Sequence, residues 1–287
     1  MKHRVPFVFL AFVATLSAQE SPGLTARQVI ERIQARVGIP WSAQTVDTFK
    51  AGNPNTRVTG IATTMMATYD VLERAAAAGK NLIITHEPTF YSHQDKTEVF
   101  DKEHDRVWAD KERFIKEHNL VVWRFHDYWH RMKPDGILFG VVRALEWQKF
   151  QSAAQANLFV MPEITVSDLA DQMKQRLGIH VLRYVANPEM KVTKVALAPG
   201  AGGTDMHRKL LQRDDVEVLA IGEVPEWETI EYVSDAVSQG KKKALILLGH
   251  IPSEQPGMEY CAEWLKTFVT EVPVEYVGTK EPFLLAK

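Results

Sequence analysis

Residues 245–254, LILLGHIPSE, constrain this chain more than any other stretch. An unbroken apolar run leads into Gly249, and His250, Pro252 and Glu254 follow at once. A short run of that kind, ended by Gly and Pro, reads as a strand buried on both faces, which needs a sheet covered by helices on either side. Residues 82–88, LIITHEP, repeat the design upstream, ending on His86 and Glu87. Residues 120–130, LVVWRFHDYWH, form a third example, with His126, Asp127 and His130 beyond the apolar part. Ligands of open α/β sheets gather at the carboxyl ends of the strands. The three strand ends are therefore expected to converge on one metal site.

The rest of the chain alternates in the same way. Residues 24–38 (LTARQVIERIQARVG) have the spacing of an amphipathic helix, capped by Thr25 and stopped by Gly38. A strand over 57–63, a helix over 66–79 and a strand over 80–85 make a parallel pair with a crossover helix. One long charged helix is expected over 98–119 and another helix over 135–147, where Gly136 and Gly140 permit close approach. Helices over 165–178, 204–212, 225–240 and 253–269 alternate with strands over 157–161, 180–185, 192–198, 217–222, 243–248 and 274–277. The class is α/β. The polar stretch 148–157 marks a junction between an N-terminal half (19–150) and a C-terminal half (151–287), and the echo of LIITHEP in LILLGHIP suggests one copy per half.

Composition excludes several partners. With 34 Lys and Arg against 36 Asp and Glu, the chain offers no electrostatic case for nucleic acid. Residues 1–18 read as a signal peptide: Lys2, His3 and Arg4 precede the apolar run VPFVFLAFVATL, with cleavage expected near Ala18. The expectation is an exported protein, periplasmic or secreted, with no stable membrane span after cleavage. The single cysteine, Cys261, cannot form an internal disulfide and lies in a helix-interior context, so it reads as a buried thiol.

Divalent metals favour neutral imidazoles and carboxylates on rigid elements. His86 and Glu87 are adjacent, so at a strand end they point to different sides. His250 and Glu254 are four apart, and a carboxylate in the first turn of a helix is favoured by its dipole. The HEPTF segment is not a zincin motif, because Phe90 holds the place of the second histidine. The glycine-rich residues 198–203 (APGAGG) lack a P-loop lysine and read as a tight turn. Glu223 reads either as a cavity-lining or as a surface residue. His93, Asp95, His104, His118, His180 and His207 have no convergent context and read as solvated.

THEP at 85–88, HDYWH at 126–130, GHIPSE at 249–254 and the APGAGG loop together resemble the Nif-three-like dinuclear metal-centre proteins, also called the GTP cyclohydrolase I type 2 homologue family. The resemblance covers roughly residues 24 to 283 and leaves no room for an inserted domain. It implies two similar α/β halves with the metal site in the cleft between them. It further implies two divalent ions (Zn, Mn or Fe) on His86, Glu87, His130, His250 and Glu254, with His126 behind them. Two positions depart from the family pattern: Glu87 stands where the family has His, and His130 where it has Asp. The exchange is reciprocal and keeps the ligand total. The implied chemistry is hydrolysis of a small-molecule substrate by a metal-bound hydroxide, with Glu254 or Glu87 as proton acceptor. The implied assembly is a homo-oligomer, a hexamer. The alternative is a non-catalytic metal-binding or protein-assembly role.

Overall fold

The computed structural model describes residues 23–286. The expected signal segment, 1–18, lies outside the described residues. Helix α1 (Ala26–Val37) is closed at its start by a capping box between Thr25 and Gln28. Strands β1 (Phe49–Ala51) and β2 (Ile61–Thr64), helix α2 (Tyr69–Ala77) and strand β3 (Leu82–Thr85) follow. The helix expected over 98–119 is two helices, α3 (Glu98–Glu103) and α4 (Arg106–Glu117). His104 breaks it in the left-handed region (φ 52°), and the Asp105 side chain then caps α4 by accepting from Trp108 N at 2.8 Å. Strand β4 (Val121–Arg124), helix α5 (Asp127–Arg131) and helix α6 (Gly136–Leu145) complete this part.

Beyond it lie β5 (Leu158–Thr165), α7 (Val166–Arg176), β6 (Arg183–Val185), β7 (Lys191–Ala198), α8 (Thr204–Leu211), β8 (Val218–Ile221), α9 (Glu231–Ser238), β9 (Ala244–Leu247), α10 (His250–Lys266) and β10 (Val274–Tyr276). Two five-stranded sheets result, ordered β1-β4-β3-β2-β10 and β5-β7-β8-β9-β6. The central strands are parallel, and β1, β5 and β6 are antiparallel edges. Sheet membership does not follow chain order: β10 pairs with β2, on the edge of the first sheet.

Alternation along each strand divides the core. Ile61, Leu82, Ile84, Val121 and Trp123 face the same cluster as Val195, Leu197, Val218, Ala220 and Ile246 of the other sheet. Ile83 and Val122 point the other way, onto α2 and α4, and Leu219 and Leu245 point onto α8 and α9. The shared layer between the sheets contains α6 and α10. These two helices meet at Gly140 and Gly257, where a β-carbon on either glycine would collide with the backbone of the other helix. Cys261 is buried here, and burial pushes its thiol pKa up. No helix among the described residues is long and apolar enough to cross a membrane.

Candidate metal centre

The carboxyl ends of β3, β4 and β9 deliver the site. The N–H groups of His86 and Glu87 donate to the carbonyls of Thr64 and Met65 at 3.1 and 2.9 Å, so extended geometry persists past β3. Thr85 pairs with Arg124 in the parallel register of β3 and β4, which sets His86 beside Phe125. Beyond β4 the chain turns into α5, and His130 N donates to His126 O at 3.1 Å. One helical turn thus stacks His126 and His130, with ring centroids 5.0 Å apart. Gly249, at φ 88°, turns the chain from β9 into α10, whose first residue is His250. The helix was expected to start at 253. Its earlier start puts His250 and Glu254 one turn apart, and the side chains meet at 3.2 Å.

Every one of these imidazoles is oriented through Nδ1. That of His86 lies 3.0 Å from Phe125 O, that of His126 3.0 Å from Asp127 Oδ1, and that of His130 3.0 Å from Asp135 Oδ2. His250 Nδ1 faces Glu223 Oε1 at 3.5 Å. A partner at Nδ1 fixes the tautomer and the ring plane of a metal-ligating histidine and leaves Nε2 to bind. His86 Nε2 is 3.6 Å from Glu254 Oε2, His126 Nε2 is 3.6 Å from Glu87 Oε1, and His250 Nε2 is 3.5 Å from Glu87 Oε1.

Among the described residues, two triads have ligand atoms within 4.8 Å of one another: His86, His126 and His130, and His86, Glu87 and Glu254. His126, expected behind the ligands, therefore stands in the same triad as His86 and His130. His86 Nε2 and Glu254 Oε2 are buried and lack a hydrogen-bond partner. Buried polar atoms are rarely left so, and two such atoms face to face are the arrangement that a cation between them would satisfy. The buried His and Glu groups can hold a metal ion.

The electrostatics agree with that chemistry. Burial drives the His86 pKa well below its ordinary value, and the neighbouring charges of His130 and His126 drive it further, so His86 is a neutral imidazole. Burial alone would raise Glu87, but the hydrogen bond from His250 and the charges of His250 and His126 hold it below the carboxylate range. Burial opposes protonation of His250 too, yet Glu223, Glu254 and Glu87 push its pKa up to about 12. Asp135 overcomes burial in the same way and raises His130. The carboxylates around His250 thus call for positive charge at the centre.

Several further residues support the centre, and two of them, Asp47 and Arg124, carry no sequence signal of their own. Asp47 is buried, and its carboxylate accepts from the backbone N–H groups of His126, Asp127 and Tyr128 at 2.8, 2.9 and 2.9 Å, capping α5 from a distant loop. Arg124 is fully buried and holds Glu87 Oε2 at 3.1 Å. Glu223 lines the cavity and orients His250. Gly200, at φ 73°, lies so close to Glu254 that a β-carbon would collide with the carboxylate, so the APGAGG turn is a wall of the site. Two residues expected to be solvated are not. His207 is buried under that loop. The Asp95 side chain is also buried, accepting from the N–H groups of Thr89 and Phe90 at 2.6 and 2.8 Å and pairing with Lys50 at 3.3 Å.

A cavity of about 690 Å³ opens beside the centre. Met66, Tyr69, Glu87, Tyr91, Lys111 and His250 are among its lining residues.

A family model described as Duf34/NIF3 (NGG1p interacting factor 3) matches residues 26–282. A GTP cyclohydrolase 1 type 2 homolog of Clostridium acetobutylicum is 26% identical over 247 residues, which cover 82% of this chain and 85% of that protein. One of Chlamydia trachomatis is 21% identical over 239 residues, covering 82% and 89%. Among solved structures, a Bacillus cereus protein related to NIF3 superposes with a TM-score of 0.71 at 13% identity, over 93% of this chain and 100% of its own. A Staphylococcus aureus protein superposes with a TM-score of 0.68 at 16% identity, over 93% and 100%. At these identities the solved structures speak for the fold.

Proposed function

This chain belongs to the Duf34/NIF3 family, and from that premise we propose that its His/Glu cluster binds two divalent cations and serves a metal-dependent hydrolase. The triads His86, His126, His130 and His86, Glu87, Glu254 would hold the ions, with His250 beside them at 3.5 Å from Glu87 and 3.2 Å from Glu254. The observation that carries the reading is the buried His86 Nε2, which has no hydrogen-bond partner and faces the buried Glu254 Oε2 at 3.6 Å. Metal ions so held acidify water and polarise a substrate oxygen. The protein's own groups do the rest. Asp127, Asp135, Glu223 and the Phe125 carbonyl keep the rings aimed, and Arg124 fixes Glu87. Glu87, which lines the cavity, or Glu254 behind it would take up the proton. The names of the curated relatives suggest a cyclohydrolase, and the proposal here is the broader one of hydrolysis.

The test is elemental analysis of the mature protein, purified without added metal, beside the His250→Ala, Glu254→Ala double variant. The wild type is expected to carry about two ions per chain, as dinuclear hydrolases do, and the variant distinctly fewer. Metal near zero in both proteins removes the reading. The proposal extends to export through residues 1–18 and to assembly as a homohexamer. N-terminal sequencing of the exported product and light scattering address these; an intact Met1, or a monomer mass, would remove each in turn.

A further inference from the structure

Lys111 is a buried cation that the metal centre does not use. It lies on α4, is only 3% exposed, and lines the same cavity as Glu87 and His250. Its Nζ donates one hydrogen bond, to Thr89 O at 2.6 Å. An ammonium has three donors, and burying one is costly unless they are matched. Two aromatic rings lie beside it, with Nζ 5.1 Å from the Tyr91 ring centroid and 5.9 Å from that of Phe90, and the Asp95 carboxylate acts on it from beyond ion-pair distance. Lys50 and Arg124, and not Lys111, form the ion pairs with Asp95. Thr89 is two residues beyond Glu87, so this ammonium and the metal centre belong to one wall of the cavity.

We propose that Lys111 is an anion subsite of the cavity, and that the substrate carries one small oxyanion group, a carboxylate or a phosphate, on an aromatic or apolar body. The inference rests on the hydrolase reading for the term "substrate" and on the cavity for the rest. The oxyanion takes the two free N–H donors of Lys111. The body lies along Met66, Tyr69 and Tyr91, and the end to be cleaved reaches Glu87 and His250. A cavity of about 690 Å³ suits a ligand of that size. No other lysine or arginine lines it among the described residues, so a single anionic group is matched and a triphosphate is not. Burial pushes the Lys111 pKa down to about 8 despite the opposing charge of Asp95, as befits a cation with donors still unmatched.

The experiment follows the ε-carbon of Lys111 by NMR in protein carrying carbon-13-labelled lysine, with the signal assigned through Lys111→Met. Phenyl phosphate, phenylacetate and the neutral phenethyl alcohol are titrated separately. One of the two anions is expected to shift the Lys111 signal and raise its titration midpoint by about one unit, while the alcohol does neither; which anion acts tells carboxylate from phosphate. Calorimetry is expected to show about tenfold weaker anion binding in Lys111→Met, at unchanged metal content. A Lys111 signal unmoved by saturating anion overturns the proposal, and this arm uses the wild-type fold. So does anion affinity that is equal in Lys111→Met and lost in the His250→Ala, Glu254→Ala variant, because the anion then sits on the metals. Absence of metal from the wild type would remove the hydrolase reading and leave the Lys111 titration fully readable.

Discussion

Arg124 and Glu87 form a buried ion pair, Nη2 to Oε2 at 3.1 Å, and the pair turns the other oxygen of Glu87 toward His126 and His250. The same guanidinium donates to the carbonyls of His86 at 3.0 Å and His93 at 2.5 Å. A fully buried arginine needs a counter-charge, and Arg124 has two carboxylates, Glu87 at 3.1 Å and Asp95 at 3.8 Å. Glu87 is thereby a carboxylate with one oxygen spent on structure and one offered to the site.

Arg124→Met strips Glu87 of its counter-ion and leaves two carbonyls without a donor. Denaturant unfolding is expected to show a loss of about 3–5 kcal/mol, the usual consequence of breaking one side of a buried pair. Arg124→Lys keeps the charge but not the fork of donors, and should fall between the two.

Glu87→His removes the nearer carboxylate of Arg124 and leaves it only Asp95, at 3.8 Å. Metal content of the single variant should fall below that of the wild type, and the double variant Glu87→His, Arg124→Met should recover part of the loss. Strictly additive effects on metal content would show the two positions to be uncoupled.

Asp135 holds His130 Nδ1 and also caps α6 by accepting from Leu138 N at 3.0 Å. Asp135→Asn keeps a good cap and removes the carboxylate from the imidazole. The melting temperature should hardly move, while competition against a chelator should show about 10- to 100-fold weaker metal binding.

Asp47 is placed to act through backbone alone. Asp47→Ala leaves the N–H groups of His126, Asp127 and Tyr128 without their acceptor, with an expected cost of roughly 3 kcal/mol in unfolding experiments. Metal content should fall with it, because α5 carries His130 and His126 stands at its N-cap position.

The Lys111 pKa is lowered in the folded chain, from 10.5 to about 8. Below the folded value both states are protonated, and burial of the cation costs stability in full. As pH rises through the folded value toward the unfolded one, the folded state gives up its proton first and that cost disappears. The stability of the wild type relative to Lys111→Met is therefore expected to rise between about pH 8 and 10.5 and to be level below that window. A flat difference across the window would contradict the burial of a charged Lys111.

The order of strands and helices was legible in the chain because it depends on local pattern. Apolar runs such as 82–85 and 244–247 can only be covered strands, and Thr25, Gly38 and Gly140 mark a cap, a stop and a close approach by their residue types alone. The break at His104 was hidden, because the charged pattern of α3 and α4 runs through it and only the left-handed turn separates them. His86, Glu87, His130, His250 and Glu254 were legible as candidates because each lies in the segment just beyond a buried strand. Their convergence was expected from the rule for strand ends in α/β sheets, but its geometry was not legible, since it depends on two sheets and on α10, which carries His250 and Glu254 from the end of β9 to pack against β2. Asp47, Arg124, Asp135 and Lys111 have no motif to announce them. Each acquires its role from a partner remote in sequence or from burial, and both are decided by which faces of the two sheets come together.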